Sequence, residues 1–167
     1  KGGDMTLRTN WLVSLFCLLL FSACAAPGFY LFDPPLKSGR RSPDGKQQGP
    51  WKYWYDSTRQ HLKAEGAYLD DRQTGTWVYT YENGTKEWEG ALQDERMQGL
   101  HTYWYESGQM RAQGEFDRGL ETGHWTYWTP QGTKYREGDY AQGKPAGVWI
   151  HYYPGGEKLA EGAHVGG

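Results

Sequence analysis

Trp54, Trp104, Trp128 and Tyr152 stand at one recurring position of a repeated pattern, with Thr80 in the remaining copy. Rigid rings in a row give large contact area at small entropic cost, which suits a protein partner, lipid headgroups or a glycan. The competing role is structural, because aromatic side chains paired across strands also hold sheets together. The five histidines, His61, His101, His124, His151 and His164, fit no zinc spacing. Carboxylates recur between copies, at Asp70, Asp71, Asp94, Glu95, Asp117 and Glu121. A pair of them would suit acid/base work, but charged loops are ordinarily just solvated. No serine stands in a nucleophile elbow, and Gly143-Lys144 lacks the rest of a phosphate loop. These residue types argue against an enzyme, and neither a cofactor nor a bound metal is expected.

The elements that carry the rings repeat five times. Opening glycines stand at 49, 75, 99, 123 and 147, one step of 26 followed by three of 24. The longer step falls in the turn Asp56-Ser57-Thr58-Arg59-Gln60; elsewhere the turn is short and glycine-bearing, as in Glu82-Asn83-Gly84. Such turns between alternating segments signal hairpins. Trp51, Tyr53 and Tyr55 alternate, as do Trp77, Tyr79 and Tyr81, so each set shares one strand face. His101 and His151 replace members of this inward ladder. The Trp54 row falls on the opposite face. After the turn, Ala64-Gly66-Tyr68 and Ala112-Gly114-Phe116 alternate again, and the glycine leaves space for a ring from the partner strand. The pattern predicts an all-β protein: a single-layer antiparallel array of β-hairpins.

Aromatic residues make up 16% of the 167 residues, so stacked rings rather than a thick aliphatic core supply the burial. The formal net charge is -2, from 18 basic and 20 acidic residues, which leaves no field to recruit nucleic acid. Both cysteines, Cys17 and Cys24, lie in the apolar N-terminal segment, so the repeats hold no thiol framework.

That segment runs uncharged from Trp11 to Phe32, broken by Pro27-Gly28. Trp11 to Phe21 has the length of a signal-peptide core, and Phe21-Ser22-Ala23-Cys24 resembles the bacterial lipoprotein box. The resemblance implies lipidation of Cys24, which becomes the mature N-terminus. The alternative is a retained membrane helix, since about 20 apolar residues cross the hydrocarbon. Either way the lipid bilayer is a partner of this segment, and the repeats face the periplasm or cell exterior. Residues 1–32 thus read as signal or anchor, 33–48 as a tether with a partial repeat, and 49–167 as five repeats.

The pattern Gly-x-Trp-x-x-Tyr, turn glycine, Gly-x-Tyr/Phe, glycine, from about Gly45 to Gly162, resembles the variant MORN repeat. In particular it is similar to the bacterial YwqK family of antitoxins. The resemblance implies a β-hairpin solenoid used for association with proteins or membranes. The expected function is therefore a membrane-anchored, non-catalytic scaffold, an accessory subunit of a membrane protein complex. Trp54, Trp104, Trp128 and Tyr152 are its candidate partner-binding residues. The alternatives are a glycan or cell-wall binding module that uses the same strip and, implied by the family alone, an antitoxin-like inhibitor.

Overall fold

The computed structural model describes residues 36–164. Cys24 and the apolar segment that carries the signal or helix lie outside the described residues.

Eleven strands form one antiparallel sheet in which each pairs with its neighbours in chain order. They are β1 (Lys37–Arg41), β2 (Gln47–Trp54), β3 (Leu62–Leu69), β4 (Arg72–Thr80), β5 (Lys86–Gln93), β6 (Arg96–Trp104), β7 (Met110–Asp117), β8 (Leu120–Trp128), β9 (Lys134–Ala141), β10 (Lys144–Tyr152) and β11 (Lys158–His164). The all-β hairpin array expected from the period-two pattern is present, and no helix occurs among the described residues. Composition assigns residues 33–48 to a tether and partial repeat, but Lys37–Arg41 pair with β2 as the first strand.

Turn chemistry sets this alternation. Between β4 and β5 the Tyr81 N–H donates to the Thr85 carbonyl (2.8 Å) and the Gly84 N–H to the Tyr81 carbonyl (2.9 Å), with Gly84 at φ 86°. This is a three-residue hairpin loop, a type I turn closed by a left-handed residue. The same bonds recur from Tyr105 to Gln109, Thr129 to Thr133 and Tyr153 to Glu157.

The connections between hairpins are tighter. Asp70-Asp71, Asp94-Glu95, Arg118-Gly119 and Gln142-Gly143 all have positive φ at both positions, the signature of two-residue type I′ turns. The charged loops of the sequence are therefore structural turns, and several of their carboxylates have partners. Asp71 Oδ1 accepts the Gln47 N–H at 2.7 Å, Asp70 Oδ1 accepts from Gln48 Nε2 at 2.6 Å, and Asp94 pairs with Arg72 at 3.6 Å.

Glu95 sits at φ 65° where the equivalent turns carry Gly119 and Gly143. A side chain in the left-handed region costs about 1–2 kcal/mol. Glu95→Gly is expected to raise stability by about 1 kcal/mol in urea unfolding, the part left after glycine's own entropic cost.

Hydrogen bonds also tie each hairpin to the next at both ends of the strands. At one end the Glu95 N–H reaches the Gln73 carbonyl (3.2 Å), the Gly119 N–H reaches Met97 (2.8 Å) and the Gly143 N–H reaches Glu121 (2.9 Å). At the other, tyrosine hydroxyls donate to carbonyls one hairpin on: Tyr55 to Thr80 (2.7 Å), Tyr81 to Trp104 (2.9 Å) and Tyr105 to Trp128 (2.8 Å). The last ring of each Trp-x-Tyr-x-Tyr ladder is thus a lateral tie.

Candidate functional site

The ladder face is built from a recurring seat. Across from Gly66 stand three residues of β4, Gly75-Thr76-Trp77, between the pairs Glu65↔Val78 and Ala67↔Thr74. The extra residues form a bulge. Gly75 takes φ 67°, open to glycine at little cost. The bulge swings the Trp77 ring over Gly66, so close that a Cβ there would lie 2.2 Å from the indole. Its Nε1–H then donates to the Ala67 carbonyl at 3.1 Å.

Four more copies follow the same plan: Trp51 over Gly39, His101 over Gly90, Trp125 over Gly114 and Trp149 over Gly138. Each ring donates to the carbonyl after its glycine, at 2.9–3.2 Å. The sequence shows that the glycine leaves room for a ring. The structure adds that the ring comes from the next strand in the array, across the bulge.

His101 is the exception in chemistry, not in position. It is 0% exposed, and its Nε2 lies 2.9 Å from the Ala91 carbonyl, which assigns the proton to Nε2. Nδ1 is buried without a partner. Where the neighbouring seats of Trp77 and Trp125 have Ala64 and Ala112 two residues before the glycine, this one has Trp88, stacked on His101 at 5.7 Å. The larger neighbour compensates for the smaller ring. Burial lowers the His101 pKa, so the unfolded chain binds a proton near pH 6.5 that the folded chain refuses. Stability therefore falls as pH drops below about 6.5. A Trp88→Ala, His101→Trp double variant, which restores the pattern of the neighbouring seats, is expected to lose this part of the dependence in thermal melts between pH 7 and pH 5.

Beside the seated rings the tyrosines stay half-buried and open the ladder face to solvent. Tyr53, Tyr68 and Tyr79, with Ala64 and Leu36, line a groove of about 460 Å³ that Trp54 also borders. Two hairpins on, Tyr103, Tyr105, Phe116, Tyr127 and Tyr135 line a second of about 340 Å³. Hydroxyls meet at the groove walls: Tyr53 with Tyr68 at 2.9 Å, Tyr127 with Tyr140 at 3.3 Å. Burial followed by the Tyr53 hydrogen bond pushes the Tyr68 phenol up, so its hydroxyl is neutral at neutral pH, while Lys37 and Lys63 bring charge to the same groove. These tyrosines are interaction candidates that the alternation alone assigns to the inward ladder. Alternation tells which residues share a face, not which face has depth.

Of the predicted strip, Trp104 lines a groove of the other face, whereas Trp54 borders the ladder-face groove. Trp54, Trp104, Trp128 and Tyr152 are half-buried, while Thr80 is buried with its hydroxyl bonded to the Leu62 carbonyl. No two members of the strip are in ring contact; successive members of Trp104, Trp128 and Tyr152 are two strand spacings apart, about 9–10 Å. Each of three has a cation on its ring instead: Arg59 on Trp54 (4.8 Å), Lys86 on Trp104 (5.5 Å) and Lys134 on Tyr152 (5.7 Å).

Trp104 borders a groove of mixed character, about 310 Å³, with Thr76, Glu89, Ala91, Thr102 and Leu100, the last 56% exposed. Tyr152 has a polar setting. Its hydroxyl donates to Glu137, which also receives Lys134 Nζ (2.6 Å) and lies 3.4 Å from His124 Nε2. Burial alone would raise the Glu137 carboxyl, but these bonds outweigh it and hold it at about 2. His124 Nδ1 turns the other way, to Asp139 at 3.0 Å, so the three groups do not converge on one point.

The structure thus splits the predicted strip. Trp104 borders an open groove beside the Lys86–Glu89 pair, whereas the Tyr152 hydroxyl is itself bonded into the Lys134–Glu137 pair. The predicted lipidation site, Cys24, lies outside the described residues. No protein-family model matches the chain, and no curated protein is significantly similar to it.

Proposed function

We propose that the chain is a membrane-anchored, non-catalytic scaffold that associates with a membrane protein or protein complex through its sheet. One observation carries this reading: a one-layer sheet holds rows of aromatic side chains half-exposed on both faces, with no second layer over either among the described residues. Rigid tyrosines and tryptophans are the side chains that dominate binding energy at interfaces. The variant MORN resemblance supports the same reading. The apolar run from Trp11 to Phe32 and the Phe21–Cys24 box support tethering to a bilayer, with the repeats facing the periplasm or cell exterior.

A second reading, a glycan or cell-wall binding module, is favoured by the spacing of Trp104, Trp128 and Tyr152 in one row. Purifying the full chain from its source membranes in mild detergent separates the two. The scaffold reading expects a stoichiometric membrane-protein partner. Retention on cell-wall material, lost in a Trp104→Ala, Trp128→Ala double variant with no protein partner found, would replace it by the glycan reading.

A further inference from the structure

Two residues before the glycine, the seats at Gly66, Gly90 and Gly114 have Ala64, Trp88 and Ala112, whereas the seat at Gly138 has Arg136. A charge thus stands where the neighbouring seats are apolar. The cross-strand neighbours of Arg136 are Tyr127 on β8 and His151 on β10, and neither is an anion. Its guanidinium lies over three rings, Tyr127 at 4.0 Å, Trp149 at 5.5 Å and Tyr135 at 5.9 Å. The Tyr127 hydroxyl beside it is neutral, because burial pushes that phenol up. Among the described residues no carboxylate lies within ion-pair distance of Arg136, and its Nε–H is buried without an acceptor. A half-buried cation with no counter-charge and a buried donor with no acceptor both cost stability. Alanine, as at Ala64 and Ala112, avoids both costs.

The tyrosines that clamp Arg136 are walls of the second ladder-face groove. Tyr127 and Tyr135 line it together with Tyr103, over an apolar floor of Ala112, Phe116 and Trp125. A second guanidinium, that of the exposed Arg111, stands over Tyr103 at 5.6 Å. Glu121 is the one carboxylate of the lining, and it is paired with neither arginine. Two positive charges therefore stand against one negative charge at this groove. Its volume of about 340 Å³ is at the lower limit of pockets for free ligands and suits a single side chain. A sugar would set hydroxyls against Ala112, Phe116 and Trp125, whose indole N–H is already given to the Glu115 carbonyl. An apolar side chain leaves nothing unpaired there.

We infer that this groove takes an acidic and apolar element of a partner protein: an aspartate or glutamate that pairs with Arg136 and Arg111, next to an apolar side chain that lies on the floor of Phe116 and Trp125. The carboxylate supplies the missing counter-charge. A guanidinium held between rings is preorganised for it, since the planar fork matches a carboxylate and loses little freedom on pairing. The inference rests on the association reading proposed above and names its site and the chemistry of its partner.

The test pans the full chain, immobilised in mild detergent, with a phage-displayed library of random linear peptides. Enriched sequences are expected to share an Asp or Glu beside an apolar residue. The strongest, synthesised with fluorescein, should bind saturably by anisotropy. Arg136→Ala should weaken it at least about tenfold, and so should replacing the acid of the peptide by its amide. Arg111→Ala, at an exposed position, should weaken it about threefold. The melting temperature of Arg136→Ala is expected to be unchanged or higher, which a merely structural arginine would not give. Enriched peptides without an acid, or binding indifferent to Arg136→Ala, overturn the inference. So does a melting temperature lowered by more than about 5 °C in that variant, which makes Arg136 a packing element. Failure to enrich any peptide overturns it as well, and retention on polygalacturonate lost in Arg136→Ala would then assign the groove to an acidic glycan. If no peptide is enriched while a membrane-protein partner is captured in detergent, the groove assignment falls and the association reading stands. If the peptide binds as expected but no partner is captured, the association reading is the one that fails.

Discussion

Replacing Gly114 by alanine is expected to lower stability by about 3 kcal/mol, at the upper end of what overpacking a tight site costs. Gly114 is not at positive φ, so a methyl group costs nothing in the backbone. The cost is contact. The new Cβ would lie 2.1 Å from Cδ2 of Trp125, at the rigid base of the indole rather than at a flexible end. Phe116, edge-on at 5.2 Å, and Tyr127, stacked at 5.9 Å, leave the ring little room to move. Any shift also strains the 3.2 Å bond from Nε1 to the Glu115 carbonyl. In urea unfolding the midpoint should drop with the slope kept. A change under about 0.5 kcal/mol, the range of an ordinary surface substitution, would mean that the ring does not occupy the seat.

Trp77→Ala is expected to cost still more, about 4 kcal/mol, because it removes a large buried side chain and leaves a cavity that a single-layer sheet cannot close. Trp77 is 0% exposed and lies between Tyr53 at 6.2 Å, Tyr68 at 5.2 Å and Tyr79 at 5.9 Å. In an array where each unit touches only its neighbours, a weak interface in the interior divides the cooperative unit. The variant should therefore also unfold with a shallower slope, its first hairpin before the rest. Trp128→Ala on the opposite face is the matched control. It is half-buried and sits under no neighbouring ring, so its cost should be well below that of Trp77→Ala.

The hairpin order is legible because two local signals agree. Period-two rings such as Trp51-Tyr53-Tyr55 fix a face, and glycine turns such as Glu82-Asn83-Gly84 fix where the chain reverses. The first strand is not legible in the same way. Lys37-Ser38-Gly39-Arg40-Arg41 has no alternation of its own and becomes a strand only because Trp51 covers Gly39. Nor does the sequence say which strand supplies the ring above Gly66. That depends on the bulge at Gly75-Thr76-Trp77, whose only trace is one glycine.

Asp70-Asp71 and Asp94-Glu95 hide their turns because no glycine marks them, although Arg118-Gly119 and Gln142-Gly143 carry the mark at equivalent places. The candidate strip was legible as a row, since its spacing is regular. Its environments were not, because Lys134 and Glu137 reach Tyr152 from a neighbouring strand whose register no periodicity reveals. His101 reads as a ladder position, but its compensation by Trp88 appears only once the seat is seen.

Tryptophan rings from one strand are locked over glycines of the strand before it by an indole-to-carbonyl bond. Hydrogen exchange of the nine tryptophan indole N–H groups, followed by NMR on the full chain, tests this directly. Four signals, those of Trp51, Trp77, Trp125 and Trp149, are expected to exchange slowly, and those of Trp54, Trp104 and Trp128 fast. If the indoles of Trp77 and Trp125 exchange as fast as that of Trp104, the seats are not filled as described and the account is wrong.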